Sequence, residues 1–199
     1  TYDSSLRACS NTFAFGSVIS QFPMNGEIVN GGTVVMLVIS NGPETVHNIT
    51  QDTHFCSIQS AIDASENDGD EIIVDVGVYF EAIDFKGKAI YLHSSNPGDP
   101  TVVSNTIIDG TGYSDVVTCV SQEDFDTIIS GFTITGGTNN GIWSVKSSAT
   151  VTHCIMIGND RGMWNEYSDP MVFNCIISGN GIGVNNYKSS PTVINCTVA

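Results

Sequence analysis

Three cysteines at a constant spacing are the first residues whose type suggests chemistry. Cys154, Cys175 and Cys196 lie 21 residues apart. A thiolate can ligate zinc, but zinc needs ligands that converge tetrahedrally. Residues that recur once per repeat instead stack in a row about 4.8 Å apart, a geometry that also does not favour disulfides. Because unpaired cysteine behaves as a small buried hydrophobe, we expect a structural ladder of buried thiols.

A polar residue precedes each of these cysteines. The column contains His153, Asn174 and Asn195, and one 22-residue step extends it back to Gly131. Gly and Asn adopt a left-handed backbone most readily, and His is also enriched there. The column therefore predicts a one-residue bend between two strands. Stacked Asn side chains can then hydrogen-bond from repeat to repeat, which makes this a structural ladder and not a catalytic one. Gly87 and Asn105 are expected to hold the same bend in earlier repeats.

The charged residues of the regular repeats do not form a catalytic arrangement. Hydrolysis of a glycoside needs two carboxylates at a suitable separation. The acids here are Asp160, Glu166 and Asp169, and they do not fall in one column. The sequence therefore favours a protein that is not an enzyme. If it is an enzyme, a polysaccharide lyase or a glycoside hydrolase is expected.

The repeat that carries these columns consists of three short strands. Apolar positions flank the bend, a glycine follows, and a third strand and a turn close the unit. Three strands in about 21 residues are typical of one coil of a parallel β-helix. Counting strand sets predicts about five coils, the last incomplete. The class is therefore all-β, a solenoid with an N-terminal capping helix and a small β-rich leader.

The outward side of the third strand is the most distinctive surface. Strand parity places Ile142, Met163 and Val184 inside and turns Trp143, Trp164 and Asn185 outward. Glu166 and Tyr187 lie in the next outward column, and the basic Arg161 directly precedes one of these strands. Exposed aromatic residues mark binding surfaces. Three interpretations stay open: the tryptophans stack on sugar rings, contact another subunit, or lie under the N-terminal segment.

The first part of the chain does not follow the repeat. We predict a β-rich leader at residues 1–52 and the solenoid at 53–199, with a capping helix at 57–65. In that helix Ile58, Ala61 and Ile62 share one face and Ser57 can cap its start. Cys9 and Cys56 flank the leader and form a disulfide if the protein is extracellular. Two unpaired thiols are the alternative.

The segment from about residue 53 onward resembles the right-handed parallel β-helix repeat proteins of the pectate-lyase-like superfamily. The resemblance is carried by the helix, the Asp68-Gly69-Asp70 turn, the Gly-Val-Tyr after the first strand, the Gly-Lys-Ala-Ile step and the later Asn-Cys steps. It implies a right-handed coil. Lyases of this superfamily are implied to use an Arg or Lys base beside carboxylates that hold calcium. The same coil also carries hydrolases, esterases, adhesins and inert surface proteins, so the resemblance predicts fold far better than function.

Composition limits the partners. The chain has 21 acidic and 6 basic residues and a net charge of −15, which argues against nucleic acid as a partner. The longest apolar run is too short for a membrane span. Asn48 and Asn195 begin N-glycosylation sequons. No cofactor is expected. Calcium at Asp68 and Asp70, or at Glu123, Asp124 and Asp126, is the alternative to solvated acidic turns, because neither stretch matches a defined calcium loop.

These observations predict an extracellular or cell-surface protein that acts as a structural, adhesive or self-assembling subunit. The chain begins without Met and shows no signal-like segment, so it is expected to be a processed or excised piece. The chain also stops inside a strand. An open coil end would offer unpaired backbone groups for axial stacking. The alternative is a carbohydrate-active protein, either an enzyme or a glycan-binding fragment of one.

Overall fold

The computed structural model of the chain describes residues 2–3, 7–14, 16–40, 42–66 and 69–199. Its first elements form a small separate sheet: β1 (Tyr2–Asp3), β2 (Arg7–Ala8), β3 (Val18–Phe22) and β4 (Val35–Ser40). Strand β4 lies in the middle, parallel to β1 and β2 and antiparallel to β3. The predicted turn at residues 41–43 falls partly outside the described residues, because Asn41 does.

A hairpin and a helix follow the small sheet. They are β5 (Val46–Asn48), β6 (Thr53–Phe55) and α1 (Ile58–Ala64). The predicted helix is present, with the Ser57 side chain accepting the Ser60 N–H at its start. Its buried face is the expected one, Ile58, Ala61 and Ile62, and it packs against β5, β6, β7 and β9.

The remainder is a right-handed parallel solenoid of six turns, the last with two strands. The first two turns are β7 (Glu71–Val74), β8 (Gly77–Tyr79), β9 (Ile83–Asp84) and β10 (Tyr91–Ser94), α2 (Pro100–Asn105), β11 (Thr106–Asp109), β12 (Asp115–Cys119). The regular turns are β13 (Ile128–Ser130), β14 (Thr133–Thr135), β15 (Asn140–Val145); β16 (Thr150–Thr152), β17 (Ile155–Met156), β18 (Arg161–Glu166); β19 (Met171–Phe173), β20 (Ile176–Ile177), β21 (Ile182–Tyr187). The last strands are β22 (Thr192–Ile194) and β23 (Thr197–Val198).

Equivalent strands of successive turns stack into three parallel sheets. Sheet I has the order β22-β19-β16-β13-β10-β7-β5-β6, with the β5–β6 hairpin added antiparallel at its end. Sheet II has the order β23-β20-β17-β14-β11-β8, and sheet III has the order β21-β18-β15-β12-β9. Because β5 pairs with β7, sheet I begins at Val46, before the predicted boundary at residue 53.

The predicted apolar columns fill the space between the three sheets. Ile129, Val151 and Val172 are each 1% exposed on sheet I, and Ile134, Met156 and Ile177 are fully buried on sheet II. Burying one such side chain contributes about 1.5–3 kcal/mol relative to leaving it in water. The core is thus a stack of similar layers, each made by one turn.

The predicted count of about five coils is one too low. Turns one and two are complete, but α2 and its flanking loops interrupt the second turn, so the 21-residue period is lost there. The expected bends at Gly87 and Asn105 are also wrong. Gly87 has a left-handed backbone but lies between β9 and β10, at the turn from sheet III to sheet I, and Asn105 ends α2.

Candidate functional site

The bend column between sheets I and II has the predicted conformation. The φ angles are +82° at Gly131 and +53° at His153, Asn174 and Asn195. The side chains form a continuous ladder: Asn195 Nδ2 donates to Asn174 Oδ1 at 2.6 Å, and Asn174 Nδ2 lies 3.2 Å from His153 Nε2. The other ring nitrogen of His153 lies 2.9 Å from the Thr152 hydroxyl. The side-chain contacts of the column therefore join the bends of successive coils.

The cysteine column lies inside the coil, directly after the bend. Each thiol donates to the carbonyl two residues before it: Cys154 to Thr152 at 3.3 Å, Cys175 to Phe173 at 3.1 Å and Cys196 to Ile194 at 3.2 Å. The backbone N–H of Cys154 donates to the sulfur of Cys175 at 3.5 Å, and the backbone N–H of Cys175 donates to the sulfur of Cys196 at 3.4 Å. All three thiols are free.

Two thiols of this column, Cys175 and Cys196, and the buried thiol of Cys119 have little tendency to ionise. The hydrogen bond with Cys154 and burial both raise the pKa of Cys175. Burial raises the pKa of Cys196, and burial together with Glu123 and Asp84 raises that of Cys119 in β12. Because the thiolate is the nucleophile and the metal ligand, the thiols of Cys175, Cys196 and Cys119 serve packing and hydrogen bonding.

A second amide ladder was missed in the sequence. Asn159 and Asn180 lie at the turn between sheets II and III, 21 residues apart. Asn159 Nδ2 donates to the Ile134 carbonyl at 3.1 Å, and its Oδ1 accepts the Gly137 N–H at 2.9 Å. One coil later, Asn180 Nδ2 likewise donates to the Met156 carbonyl at 2.8 Å. Their constant position after a glycine was the available signal.

The outward surface of sheet III carries the tryptophans as predicted. Trp143 pairs with Trp164, and Trp164 with Asn185, in direct register. Both rings are partly exposed, whereas Ile142 and Met163, which precede them on their strands, are buried. We call this surface the aromatic wall; it comprises Trp143, Trp164, Arg161, Tyr167, Tyr187 and Lys188.

Arg161 contacts the tryptophan column directly. Its guanidinium carbon lies 4.8 Å from the centre of the Trp164 ring, within the range of a cation–π interaction. One terminal nitrogen donates to the side-chain oxygen of Asn139, and the same nitrogen lies 3.5 Å from the Asp160 carboxylate. The Arg161 side chain is only 23% exposed, so its orientation is fixed by these neighbours.

Tyr187 belongs to a second aromatic cluster at the end of the same sheet. The rings of Tyr167 and Tyr187 meet edge to face with centres 5.7 Å apart. Lys188 Nζ lies 4.9 Å and 5.3 Å from the two ring centres and donates to the Tyr167 hydroxyl at 2.9 Å. Glu166 lies beside Tyr187 in register and is partly exposed. The candidate residues Trp143, Trp164, Arg161, Glu166 and Tyr187 are thus brought together on one face.

The N-terminal segment does not explain these aromatic residues. Among the described residues, no strand of the N-terminal sheet packs extensively against β15, β18 or β21. The leader is instead tied to the start of α1 by a disulfide between Cys9 and Cys56, whose Cα atoms are 5.5 Å apart. The packing of the described N-terminal strands therefore does not support the interpretation that the tryptophans lie under residues 1–50.

In the acidic stretch at residues 123–126, the carboxylates of Glu123 and Asp124 accept hydrogen bonds from within the chain. Glu123 is 3% exposed, and its carboxylate accepts the Gly87 N–H at 2.8 Å, the Ser121 N–H at 2.8 Å and the Ser147 hydroxyl at 2.7 Å. Asp124 accepts the N–H of Asp126 at 3.0 Å. Glu123 is therefore a hub that joins three turns of the chain, and Asp124 stabilises its own loop.

In the other calcium candidate, Asp68 and Asp70, the carboxylate of Asp70 is also occupied by hydrogen bonds within the chain. Asp70 is 1% exposed and accepts Asn48 Nδ2 at 2.9 Å and Gln51 Nε2 at 2.7 Å, while Asp68 lies outside the described residues. The described side chains include no group of three or more His, Cys, Asp or Glu arranged to hold a metal ion. Within the same residues, no helix is long and apolar enough to cross a bilayer.

The two glycosylation candidates differ sharply. Asn48 is fully buried, and its Nδ2, the atom that would carry a glycan, donates to Asp70 and Ser65. Its Oδ1 accepts the N–H groups of Thr50 and Gln51, so Asn48 is a structural residue of the folded chain. Asn195 is exposed and stays a prediction.

In comparisons with known proteins, the chain matches no family model, no curated protein sequence and no solved structure. The parallel β-helix therefore stands on the structure itself. Membership of the pectate-lyase-like superfamily stays a hypothesis drawn from the sequence motifs.

Proposed function

We propose that this chain is an extracellular β-helix protein of the pectate-lyase-like type that acts without catalysis, as a structural or adhesive subunit. It binds a second subunit through the aromatic wall. The observation that carries this proposal is the outward pair Trp143 and Trp164 with the Arg161 guanidinium held over the second ring.

The composition of the wall favours a protein partner. Trp, Tyr and Arg are the residue types that contribute most binding energy at protein interfaces, and they act best when their side chains are already fixed. Arg161 is fixed by Asn139 and Asp160, and Tyr187 is fixed against Tyr167. Three of the 6 basic residues, Lys146, Arg161 and Lys188, lie in or beside strands of sheet III. Two of them, Arg161 and Lys188, belong to the wall and give it basic groups beside the acids Asp160 and Glu166.

A lateral contact fits the ends of the solenoid better than an axial one. Axial stacking would need an open first turn to receive another coil. Among the described residues, β5 pairs with β7 in sheet I, and α1 packs against β9 in sheet III. A neighbouring coil therefore cannot pair with all three strands of the first turn, whereas sheet III presents a broad lateral face.

The experiment is a measurement of mass against concentration by light scattering, for the unmodified chain and for Trp143→Ala/Trp164→Ala. We expect concentration-dependent association of the unmodified chain that strengthens with added salt, because salt screens the repulsion between two chains of net charge −15. The double variant should stay monomeric. Asn185→Ala, in the same outward column, is the matched control and should associate normally. A monomeric mass for the unmodified chain at every concentration and salt level would refute the proposal.

Glycan binding is the second candidate, because polar side chains flank the tryptophans. Thr118 and Asn185 lie in the tryptophan column, and Glu166 lies beside Trp164 on the same strand. Aromatic faces with neighbouring hydrogen-bonding groups suit sugar rings. Titration with neutral and acidic oligosaccharides, followed by tryptophan fluorescence, separates the two candidates. A saturable change that disappears in Trp164→Ala and persists in Asn174→Ala would favour the glycan.

A further inference from the structure

The first turn of the solenoid ends in three edge strands, and they are covered differently. Sheet I continues into the β5–β6 hairpin. In sheet III, the Gln59 side chain of α1 pairs with the backbone of Asp84 like a further strand: its Oε1 accepts the Asp84 N–H at 2.7 Å and its Nε2 donates to the Asp84 carbonyl at 3.1 Å. In sheet II, β8 pairs with β11 alone among the described strands.

The pairing pattern shows where the uncovered edge points. Val78 shares a column with Ile155 and Ile176. In those later coils the column residue donates its N–H to the preceding coil, at 2.8 Å to the Phe132 carbonyl and 2.9 Å to the Cys154 carbonyl. Because alternate residues of a parallel strand face opposite neighbours, the N–H of Val78 points away from β11. It faces the side where the described part of sheet II has no further strand.

A pocket of about 510 Å³ lies along this edge. It is bounded by Pro43 and Thr45, by Cys56, and by β8 with its flanking residues. The strand side is apolar: Val76, Val78 and Phe80 are 52%, 49% and 68% exposed. Phe80 directly follows β8, and continued alternation of the backbone implies that its N–H faces the same side as that of Val78.

An acidic group stands at the same pocket. Glu81 lines it, and both carboxylate oxygens accept N–H groups of α1, from Ile58 at 2.8 Å and Gln59 at 2.9 Å. Burial raises the pKa of the Glu81 carboxyl above its ordinary value. A carboxylate oxygen has more than one lone pair, so Glu81 can still accept a donor from a ligand.

We propose that the free edge of β8 is a docking site for an extended peptide strand of another protein, with apolar side chains at alternate positions and basic residues at its flanks. The strand would continue sheet II, as added strands do in β-augmentation. Backbone pairing with Val78 and Phe80 would supply the register, and the apolar side chains would cover Val76, Val78 and Phe80. Basic flanks follow from the net charge of −15 and from Glu81 in the lining. This site is independent of the aromatic wall.

The test uses the oxidised chain and a fluorescent peptide, acetyl-Lys-Val-Thr-Val-Thr-Val-Lys-amide. We expect saturable binding by fluorescence anisotropy and slower amide exchange at residues 78 and 80 in the complex. Val78→Pro removes one donor without touching the ladder to β11 and should weaken binding at least tenfold. Val78→Thr keeps the donor and the β-branched shape, and should bind within about threefold of the unmodified chain.

A modified peptide and a test for dimerisation distinguish the possible occupants of the edge. A version of the peptide with every backbone amide N-methylated keeps the side chains and carbonyls, but it cannot donate to β8 and its methyl groups block the close approach of the two strands, so it should not bind. Equal binding of this version would show a pocket for apolar groups only and would overturn the proposal. Dimerisation of the chain that Val78→Pro abolishes would assign the edge to a second copy and would also overturn it.

Discussion

Replacement of Asn174 by Ala tests whether the bend ladder stabilises the solenoid as its geometry indicates. Asn174 combines a left-handed backbone, φ +53°, with side-chain contacts to the coils on both sides. Alanine removes both amide contacts and leaves a residue that disfavours this backbone. Glycine also removes the contacts but accepts the backbone. The two variants therefore separate the two contributions.

The magnitudes follow from the exposure of the site. Each hydrogen bond is solvent-exposed, so we assign it about 0.5 kcal/mol, at the low end of the usual range. A left-handed backbone costs a residue other than Gly or Asn about 1 kcal/mol. Asn174→Ala should therefore destabilise the chain by about 2 kcal/mol and Asn174→Gly by about 1 kcal/mol. For a chain of this size, 2 kcal/mol corresponds to a fall in Tm of about 4–8 °C.

The assay is urea unfolding followed by far-UV circular dichroism, with the slope of free energy against urea compared between variants. Asn185→Ala is the control, because Asn185 lies in the extended strand β21, and its stability should change by less than about 0.5 kcal/mol. Equal stability of Asn174→Ala and Asn174→Gly would refute the backbone contribution. Equality of both with Asn185→Ala would refute the ladder as well.

Three further predictions concern other parts of the chain. Glu123→Ala leaves two backbone N–H groups and the Ser147 hydroxyl without their buried acceptor, so the free energy of unfolding in urea should fall by at least about 3 kcal/mol. Glu123→Gln should be less damaging. A fall of less than about 1 kcal/mol for Glu123→Ala would contradict the role of Glu123 as a shared acceptor. Reduction of the Cys9–Cys56 disulfide, which spans 47 residues, should remove up to about 4 kcal/mol of stabilisation from the N-terminal sheet, so amide exchange should rise at residues 16–40 and stay unchanged at 150–180. The pKa of Glu81 is raised in the folded chain, so its protonated form favours the fold. Its contribution to the free energy of unfolding is full below the unfolded pKa of 4.5 and is lost as the pH rises through the folded pKa. Glu81→Gln should flatten the dependence of stability on pH just above 4.5, and an unchanged dependence would contradict this.

The regular coils could be predicted from the sequence because each position meets the same surroundings once per turn. The recurrence of the positions of Asn174 and Cys175 therefore predicted both the bend and the buried thiol in each regular coil. The same periodicity gave the outward direction of Trp143 and Trp164, since strand parity is local. The Asn159 and Asn180 ladder was equally periodic and could have been found in this way.

The ends and the irregular second turn were decided by tertiary structure, because their contacts join residues far apart with no repeat to signal them. Glu123 looked like part of an acidic loop, yet its carboxylate lies among Gly87, Ser121 and Ser147. Asn48 begins a glycosylation sequon, but the pairing of β5 with β7 brings Asp70 close, and the buried side-chain amide of Asn48 donates to it. Among the described strands, β8 has no partner beyond β11, whereas the hairpin and α1 cover the ends of the other two sheets, and no local pattern encodes that difference.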